Sequence, residues 1–206
     1  MTFSIVARDP ATGDLGVAAQ SKFLAVGAAV PYARGGVGAV ATQALANVSY
    51  GPRALDLLAA GATASQALDV LISSDDLPQR RQAAVVDRRG NVAAHTGTGC
   101  GAYAGHVLGP GFACQGNMLR SGDVLALMAE VMSDESNPDF AERLGAALLA
   151  GIQAGGDERG QQSAVLLVVR PEGGYGGLND RLVDLGVDDH VEPVEELLRL
   201  LSLHRL

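Results

Sequence analysis

Strand-like and helix-like segments occur in separate blocks along this chain, and this order constrains its fold more than any other feature of the sequence. Two apolar, extended segments, Phe3 to Arg8 and Leu15 to Gln20, open the chain around a turn rich in Asp, Pro and Gly. Helices, a second hairpin, further helices, two strands and a last helix follow. Grouping of this kind favours a layered α+β fold over a doubly wound sheet. We therefore predict an α+β fold with two antiparallel sheets between helical layers.

Turn and cap residues predict where these elements begin and end. Thr63 and Gln66 have the spacing of a capping box, so a helix is expected to begin there and to run to about Ile72. Asn137 followed by Pro138 predicts the start of a helix that ends near residue 154. The predicted strands span residues 3–8, 15–20, 83–87, 92–96, 112–115, 163–169 and 182–187, with two short ones between 26 and 42. The other predicted helices span residues 50–60 and 193–203 and follow Ser121.

Length and composition exclude several classes of protein. The 206 residues match one domain, expected to span residues 1–206. The net charge of −8, without a dense Lys/Arg cluster, argues against a nucleic-acid partner. No apolar stretch is long enough to span a membrane, and the first residues lack a signal-peptide pattern, so we expect a cytoplasmic protein without a membrane partner. Cys100 and Cys114 lack zinc-site spacing, which predicts buried free thiols and no metal.

Thr2 gains its possible chemistry from its place in the sequence. Methionine aminopeptidases remove Met1 when a small residue such as Thr follows, and Thr2 would then hold both a hydroxyl and a free α-amine. That amine has a reference pKa of about 7.7–8.0, so it can accept the hydroxyl proton near neutral pH. Such a threonine is an established nucleophile, although Thr is also common at position 2 without any such role. Strand alternation places Ser4 on the same face, so both side chains are expected to face one polar site.

A set of short motifs is spread over almost the whole chain. They include TFSIVARD at 2–9, GVAAQSK at 16–22, GVGAVATQA at 36–44, QGN at 115–117, NDR at 179–181 and VDDH at 187–190. In combination they resemble a bacterial domain family of unknown function that is assigned to the N-terminal-nucleophile hydrolase fold. The resemblance implies a four-layer αββα sandwich. It further implies an amidohydrolase that uses Thr2 on a small amide or peptide-like substrate, with no metal or organic cofactor.

Amide hydrolysis within such a fold also needs hydrogen-bond donors for the tetrahedral oxyanion. Gln43 and Asn117 are the best side-chain candidates, because small residues beside them allow the backbone to approach closely. The alternative is that each amide only bonds nearby turn backbone.

Charged and polar residues late in the chain are candidates for binding substrate. Asp157 and Arg159 could clamp a charged group, since Arg binds carboxylates through two parallel hydrogen bonds, or they could form a structural ion pair. Asn179, Asp180 and Arg181 follow a glycine-rich turn and are expected to line the same site.

The sequence also allows a second hypothesis, in which the protein is not an enzyme. The chain could be a non-catalytic ligand-binding or structural module on the same fold, because fold alone does not determine function. In either case the apolar last helix and the small-residue surfaces predict a homo-oligomer.

Overall fold

The structure is a computed structural model that describes residues 2–134, 136–157 and 159–205, so Met1 and the prediction of its removal lie outside the described residues. Within these ranges the chain forms ten strands and five α-helices, a mixed α+β arrangement. The strands are β1 Thr2–Arg8, β2 Leu15–Ser21, β3 Pro31–Arg34, β4 Gly38–Ala44, β5 Arg81–Asp87, β6 Val92–Thr96, β7 Gly105–Gly109, β8 Phe112–Asn117, β9 Ser163–Val169 and β10 Arg181–Val187. The helices are α1 Tyr50–Ala59, α2 Ala64–Ser73, α3 Asp123–Ser133, α4 Phe140–Gln153 and α5 Pro193–His204.

The strands form two antiparallel sheets, as the order of the blocks predicts. One sheet has six strands in the order β10-β9-β2-β1-β8-β7, and the other has four in the order β3-β4-β5-β6. The first strand lies in the interior of the larger sheet, between β2 and β8. None of the helices within the described ranges is both long and apolar enough to cross a membrane.

Three apolar clusters hold the sheets and helices together. Val6, Val17 and Leu167 of the larger sheet meet Ala41 and Val86 of the smaller one in a cluster between the sheets. The opposite face of the larger sheet packs on α3, α4 and α5, and the outer face of the smaller sheet packs on α1 and α2. Strand β9 contributes to two of these clusters, which explains why it is apolar at almost every position instead of alternating.

One predicted helix start is wrong, and one strand of the structure was not predicted. Helix α4 begins at Phe140 and not after Asn137, because the Asp139 side chain is the cap and accepts a hydrogen bond from the backbone N–H of Glu142 at 2.9 Å. Asn137 instead accepts from the backbone N–H of Asp139. Strand β7 was not predicted at all. It pairs with β8 at the edge of the larger sheet.

Candidate functional site

Thr2 begins an interior strand and faces the space between the two sheets. Its neighbours in register are Ser21 on β2 and Asn117 on β8. Thr2 Oγ1 lies 2.9 Å from Ser21 Oγ, within hydrogen-bonding distance. The residue is only 9% exposed. The hydroxyl is therefore held in one place, as a nucleophile requires, on the face that it shares with Ser4.

A cavity of about 340 Å³ opens at this end of the two sheets. Thr2, Gln43 and Arg159, which the sequence singled out, all line it. Its other lining residues are Ser21, Lys22, Phe23, Val26, Ala29, Val30, Ala44, Ala46 and Val48. This volume lies at the small end of the range for ligand pockets, about 300–1,000 Å³, so it suits a small molecule.

A buried hydrogen-bond network lies beneath the cavity and links the two sheets. The Ser4 hydroxyl donates to Gln43 Oε1 at 2.6 Å. Gln43 Nε2 donates to Gln82 Oε1 at 2.8 Å and to the Thr2 carbonyl oxygen at 3.1 Å. A side-chain amide has two hydrogens, and both are used by these acceptors. In this structure Gln43 therefore positions the Thr2 backbone and has no hydrogen left for a substrate oxyanion.

Asn117 lies beside Thr2 but points into the same network. Its Nδ2 donates to Gln82 Oε1 at 2.9 Å. Asn117 is not among the described residues that line the cavity. One donated bond leaves the amide with a second hydrogen. Asn117 thus keeps the donor capacity that Gln43 lacks.

Gln82 is the centre of the network, and it was not among the site residues predicted from the sequence. Its Oε1 accepts from both Gln43 and Asn117. The two hydrogens of its Nε2 are shared among three acceptors, Thr96 Oγ1 and the carbonyl oxygens of Gly105 and Gly116. The residue is fully buried. Its position was readable in principle, because strand alternation places it on the same face as Ala84 and Val86.

Ser21 and Lys22 were also missed as site residues. Ser21 ends β2 opposite Thr2, so the register of the first hairpin could have placed both residues beside it. Lys22 is the only lysine in the chain, which is a signal that the sequence itself carries.

Asp157 bonds two residues that line the cavity, Lys22 and Arg159. Its carboxylate accepts from the backbone N–H of Lys22 at 3.3 Å and pairs with the Arg159 guanidinium at 3.3 Å. The Asp157 side chain is fully buried, whereas that of Arg159 is 43% exposed at the cavity. The predicted pair therefore exists, with Asp157 as the anchor and Arg159 as the member that reaches the cavity.

The structure does not bring Asn179, Asp180 and Arg181 to Thr2. Arg181 pairs with Val169 at one end of β9, whereas Ser163, at the other end, pairs with Ser21. The seven-residue strand separates these ends by about 20 Å. The three residues have other partners instead. Asp180 accepts from the Gly35 N–H at 2.7 Å, Arg181 pairs with Asp184 at 2.8 Å, and Asn179 accepts from the Arg181 N–H.

Backbone strain is found where two site strands end. Ala44, directly after Gln43, has φ of 66°, and Met118, directly after Asn117, has φ of 54°. Non-glycine residues rarely adopt this left-handed conformation, and such strain clusters at functional sites. The left-handed residues thus lie at the ends of β4 and β8, directly after Gln43 and Asn117.

The two cysteines do not compete with Thr2 as nucleophiles. Both are free and buried, as predicted. Burial raises the pKa of the Cys114 thiol and that of the Cys100 thiol, so both stay protonated at neutral pH. Among residues 2–134, 136–157 and 159–205, no three His, Cys, Asp or Glu side chains are grouped as metal ligands would be.

Comparison with known proteins identifies a family and similar solved structures. A family model described as "Family of unknown function (DUF1028)" matches residues 2–197. The crystal structure of protein SPO2555 from Silicibacter pomeroyi, which is described with the same family model, is 34% identical over 100% of this chain and 89% of its own, with a TM-score of 0.88. The ancestral β-subunit Anbu from Yersinia bercovieri is a weak likeness, 10% identical over 98% of this chain and 96% of its own, with a TM-score of 0.45. No curated protein sequence matches the chain.

Proposed function

The chain belongs to the DUF1028 family of unknown function, and we propose that it is an amide hydrolase whose nucleophile is Thr2 after removal of Met1. The observation that carries this proposal is the position of Thr2, whose hydroxyl lies 2.9 Å from Ser21 Oγ at the start of an interior strand and which lines a cavity open to solvent. The proposal includes the finer fold: two antiparallel sheets between helices as the four-layer sandwich of N-terminal-nucleophile hydrolases.

The chemistry would run as acyl transfer to Thr2 and then to water. The α-amine of Thr2, with a reference pKa of about 7.7–8.0, takes the hydroxyl proton while Oγ1 attacks the carbonyl carbon of the substrate. The C–N bond breaks, and the leaving nitrogen receives that proton. Water then hydrolyses the resulting ester and restores the hydroxyl, so one water is consumed for each amide cleaved.

The oxyanion needs a donor, and Asn117 is the proposed one. It pairs with Thr2 across β1 and β8 and keeps one amide hydrogen after bonding Gln82. Because Asn117 does not line the cavity in this structure, the proposal requires its side chain to turn toward Thr2 when substrate binds. Removing one such donor typically slows the chemical step by about 10²–10³-fold. Gln43 has the different role of fixing the Thr2 backbone, and Ser4 in turn fixes Gln43.

Variants at the N-terminus test the nucleophile. Three proteins are compared with the Met-free wild type on a panel of small N-acyl amides: Thr2→Ala, a form that retains Met1, and their combination. Because hydroxyl and amine act as one unit, each single change is expected to cost about as much as the combination. Thr2→Ser should keep partial activity, since the hydroxyl and amine both survive and only the methyl group that restricts the rotamer is lost.

The control is Thr98→Ala, at an exposed turn residue, which should leave turnover unchanged. Circular dichroism checks that every variant is folded. If Met-free Thr2→Ala hydrolyses substrate at the wild-type rate, Thr2 is not the nucleophile. The alternative of a non-catalytic binding module would then be preferred.

A further inference from the structure

Lys22 is unusual in both sequence and position. Fourteen of the chain's fifteen basic residues are arginines, and Lys22 is the single lysine. It follows Ser21, the strand partner of Thr2, and lines the cavity with it. Lysine differs from arginine in carrying a compact charge that binds a carboxylate from many directions.

Lys22 is an exposed residue of the cavity lining, and two hydrogen bonds fix its position. Lys22 Nζ donates to the carbonyl oxygen of Gln161 at 3.0 Å, and the Lys22 backbone N–H donates to Asp157 at 3.3 Å. The same Asp157 carboxylate also bonds Arg159, the other cation of the cavity wall. One buried carboxylate thus organises both chain segments that bring positive charge to the rim.

The rest of the cavity is suited to an apolar, uncharged group. Among the described residues that line it there is no Asp or Glu, although the whole chain has a net charge of −8. Phe23, Val26, Val30 and Val48 supply an apolar wall. Two cationic residues, Lys22 and Arg159, thus line the same cavity as Thr2, together with an apolar wall, and none of its described lining residues could pair with a substrate ammonium through a carboxylate.

From this arrangement we infer that the site takes N-acylated amino acids with a free carboxylate, and that Lys22 is the residue that binds the carboxylate. The inference rests on the proposed function. In such a molecule the carboxylate carbon lies within about 4 Å of the scissile carbonyl carbon, by standard bond lengths. Lys22 is next in sequence to the residue paired with Thr2, and paired strands lie only about 5 Å apart, so the two groups can be reached together.

Substrates with an acylated amino group and substrates with a free amino group should bind differently in this cavity. A peptide with a free amino group would place an ammonium in a cavity that has cations but no described carboxylate on its wall. An N-acyl group has no such charge and can lie on the apolar wall.

A matched set of three ligands tests the inference by calorimetric titration of the Met-free Thr2→Ala protein, which removes turnover. N-acetyl-L-valine carries the acyl group and the carboxylate, N-acetyl-L-valinamide lacks the charge, and glycyl-L-valine adds an ammonium. N-acetyl-L-valine should bind at least about tenfold more tightly than either other compound, because only its carboxylate forms a charge-assisted hydrogen bond with Lys22 without bringing an ammonium into the cavity.

Lys22→Gln, added to the same protein, should weaken N-acetyl-L-valine binding about tenfold and leave the binding of the neutral amide unchanged. Arg53→Gln is the control, since it removes the same charge at an exposed helix position away from the cavity. Equal affinity for acid and amide, stronger binding of glycyl-L-valine, no binding of any of the three, or equal effects of the two substitutions would each overturn the inference.

Release of valine from N-acetyl-L-valine by the Met-free wild type is measured separately. Selective, Lys22-dependent binding without valine release would remove the proposed hydrolase activity and leave the ligand class in place. Hydrolysis of acid and amide at equal rates, unaffected by Lys22→Gln, would support the hydrolase and overturn the ligand class.

Discussion

Gln82 shows how one side chain can fix a whole site. Its carbonyl oxygen accepts from Gln43 and Asn117, which flank Thr2 from different sheets. Its amide nitrogen bonds the carbonyl oxygens of Gly105 on β7 and of Gly116 on β8, the strand of Asn117. Buried polar groups are costly only when a partner is missing, so this network orders the site as long as it is complete.

Gln82→Leu tests that role, because leucine has a similar size but no hydrogen-bonding atoms. The change leaves the Gln43 and Asn117 amides with unpaired hydrogens in the core, each costing about 1–3 kcal/mol. We expect the free energy of unfolding, measured with urea, to fall by about 3 kcal/mol or more. Gln79→Leu, at an exposed position, should change it by less than about 0.5 kcal/mol. Equal effects of the two substitutions would contradict the central place of Gln82.

At the scale of elements, strong local signals predicted structure well and weak ones did not. The Thr63 capping box is formed, and α2 begins at Ala64 as expected. The α4 start was misplaced because Asn137 and Asp139 are both good cap residues. Only the Asp139 side chain accepts from the backbone N–H of Glu142, whereas Asn137 donates to the Glu142 carboxylate. Strand β7 was missed because Gly105–Gly109 is short and bounded by glycines, and only its pairing with β8 makes it a strand.

Helix α1 packs on β3 at Gly51. Replacing Gly51 with alanine should have two opposite effects on stability. Alanine should favour the helix by about 1 kcal/mol, but a Cβ at Gly51 would lie only 2.1 Å from the Tyr32 ring. A rigid ring cannot move aside as a flexible chain end can. We expect Gly51→Ala to lower the midpoint of thermal unfolding.

Gly145 in α4 is the matched control, because its added Cβ would meet only the end of the Leu198 side chain, at 2.6 Å. Gly145→Ala should therefore cost clearly less than Gly51→Ala. The reverse order would show that the contact between α1 and Tyr32 is less tight than described.

At the scale of the whole molecule, local patterns cannot predict which distant residues meet. Thr2 and Ser4 were expected on one polar face and do lie there, because alternation within a strand is local. Gln43 and Gln82 meet only through the register of β4 with β5. Asn179, Asp180 and Arg181 were expected at the same site, but the direction of the β9–β10 hairpin carries them to the other end of the sheet.

The free energy of unfolding of the whole chain should depend on pH at low pH, and Asp75 should contribute to that dependence. Burial alone would raise the pKa of Asp75, but hydrogen bonds from Arg81, Asn47, the Leu77 N–H and Tyr50 lower that pKa below its usual 3.8. A carboxyl group with a lowered pKa stabilises the fold above its unfolded value and loses this effect as pH falls through the folded value.

We therefore expect Asp75→Asn to reduce the free energy of unfolding by about 3 kcal/mol at pH 7, as for other broken buried pairs. The difference from wild type should shrink by pH 3, where Asp75 is largely protonated in the unfolded chain. Chemical unfolding at both pH values measures this, with exposed Asp69→Asn as the control. A difference that stays constant with pH would contradict the assigned role of Asp75.

The central claim, that the hydroxyl and the α-amine of Thr2 act as one unit, can be measured on the protein itself. A small N-acyl epoxyketone forms a stable ring only when a hydroxyl and an amine of the same residue attack it together. Mass spectrometry of the Met-free protein should find one adduct per chain, mapped to Thr2, and none on Thr2→Ala or on protein that retains Met1. An adduct at another residue, or equal labelling of Thr2→Ala, would contradict the claim.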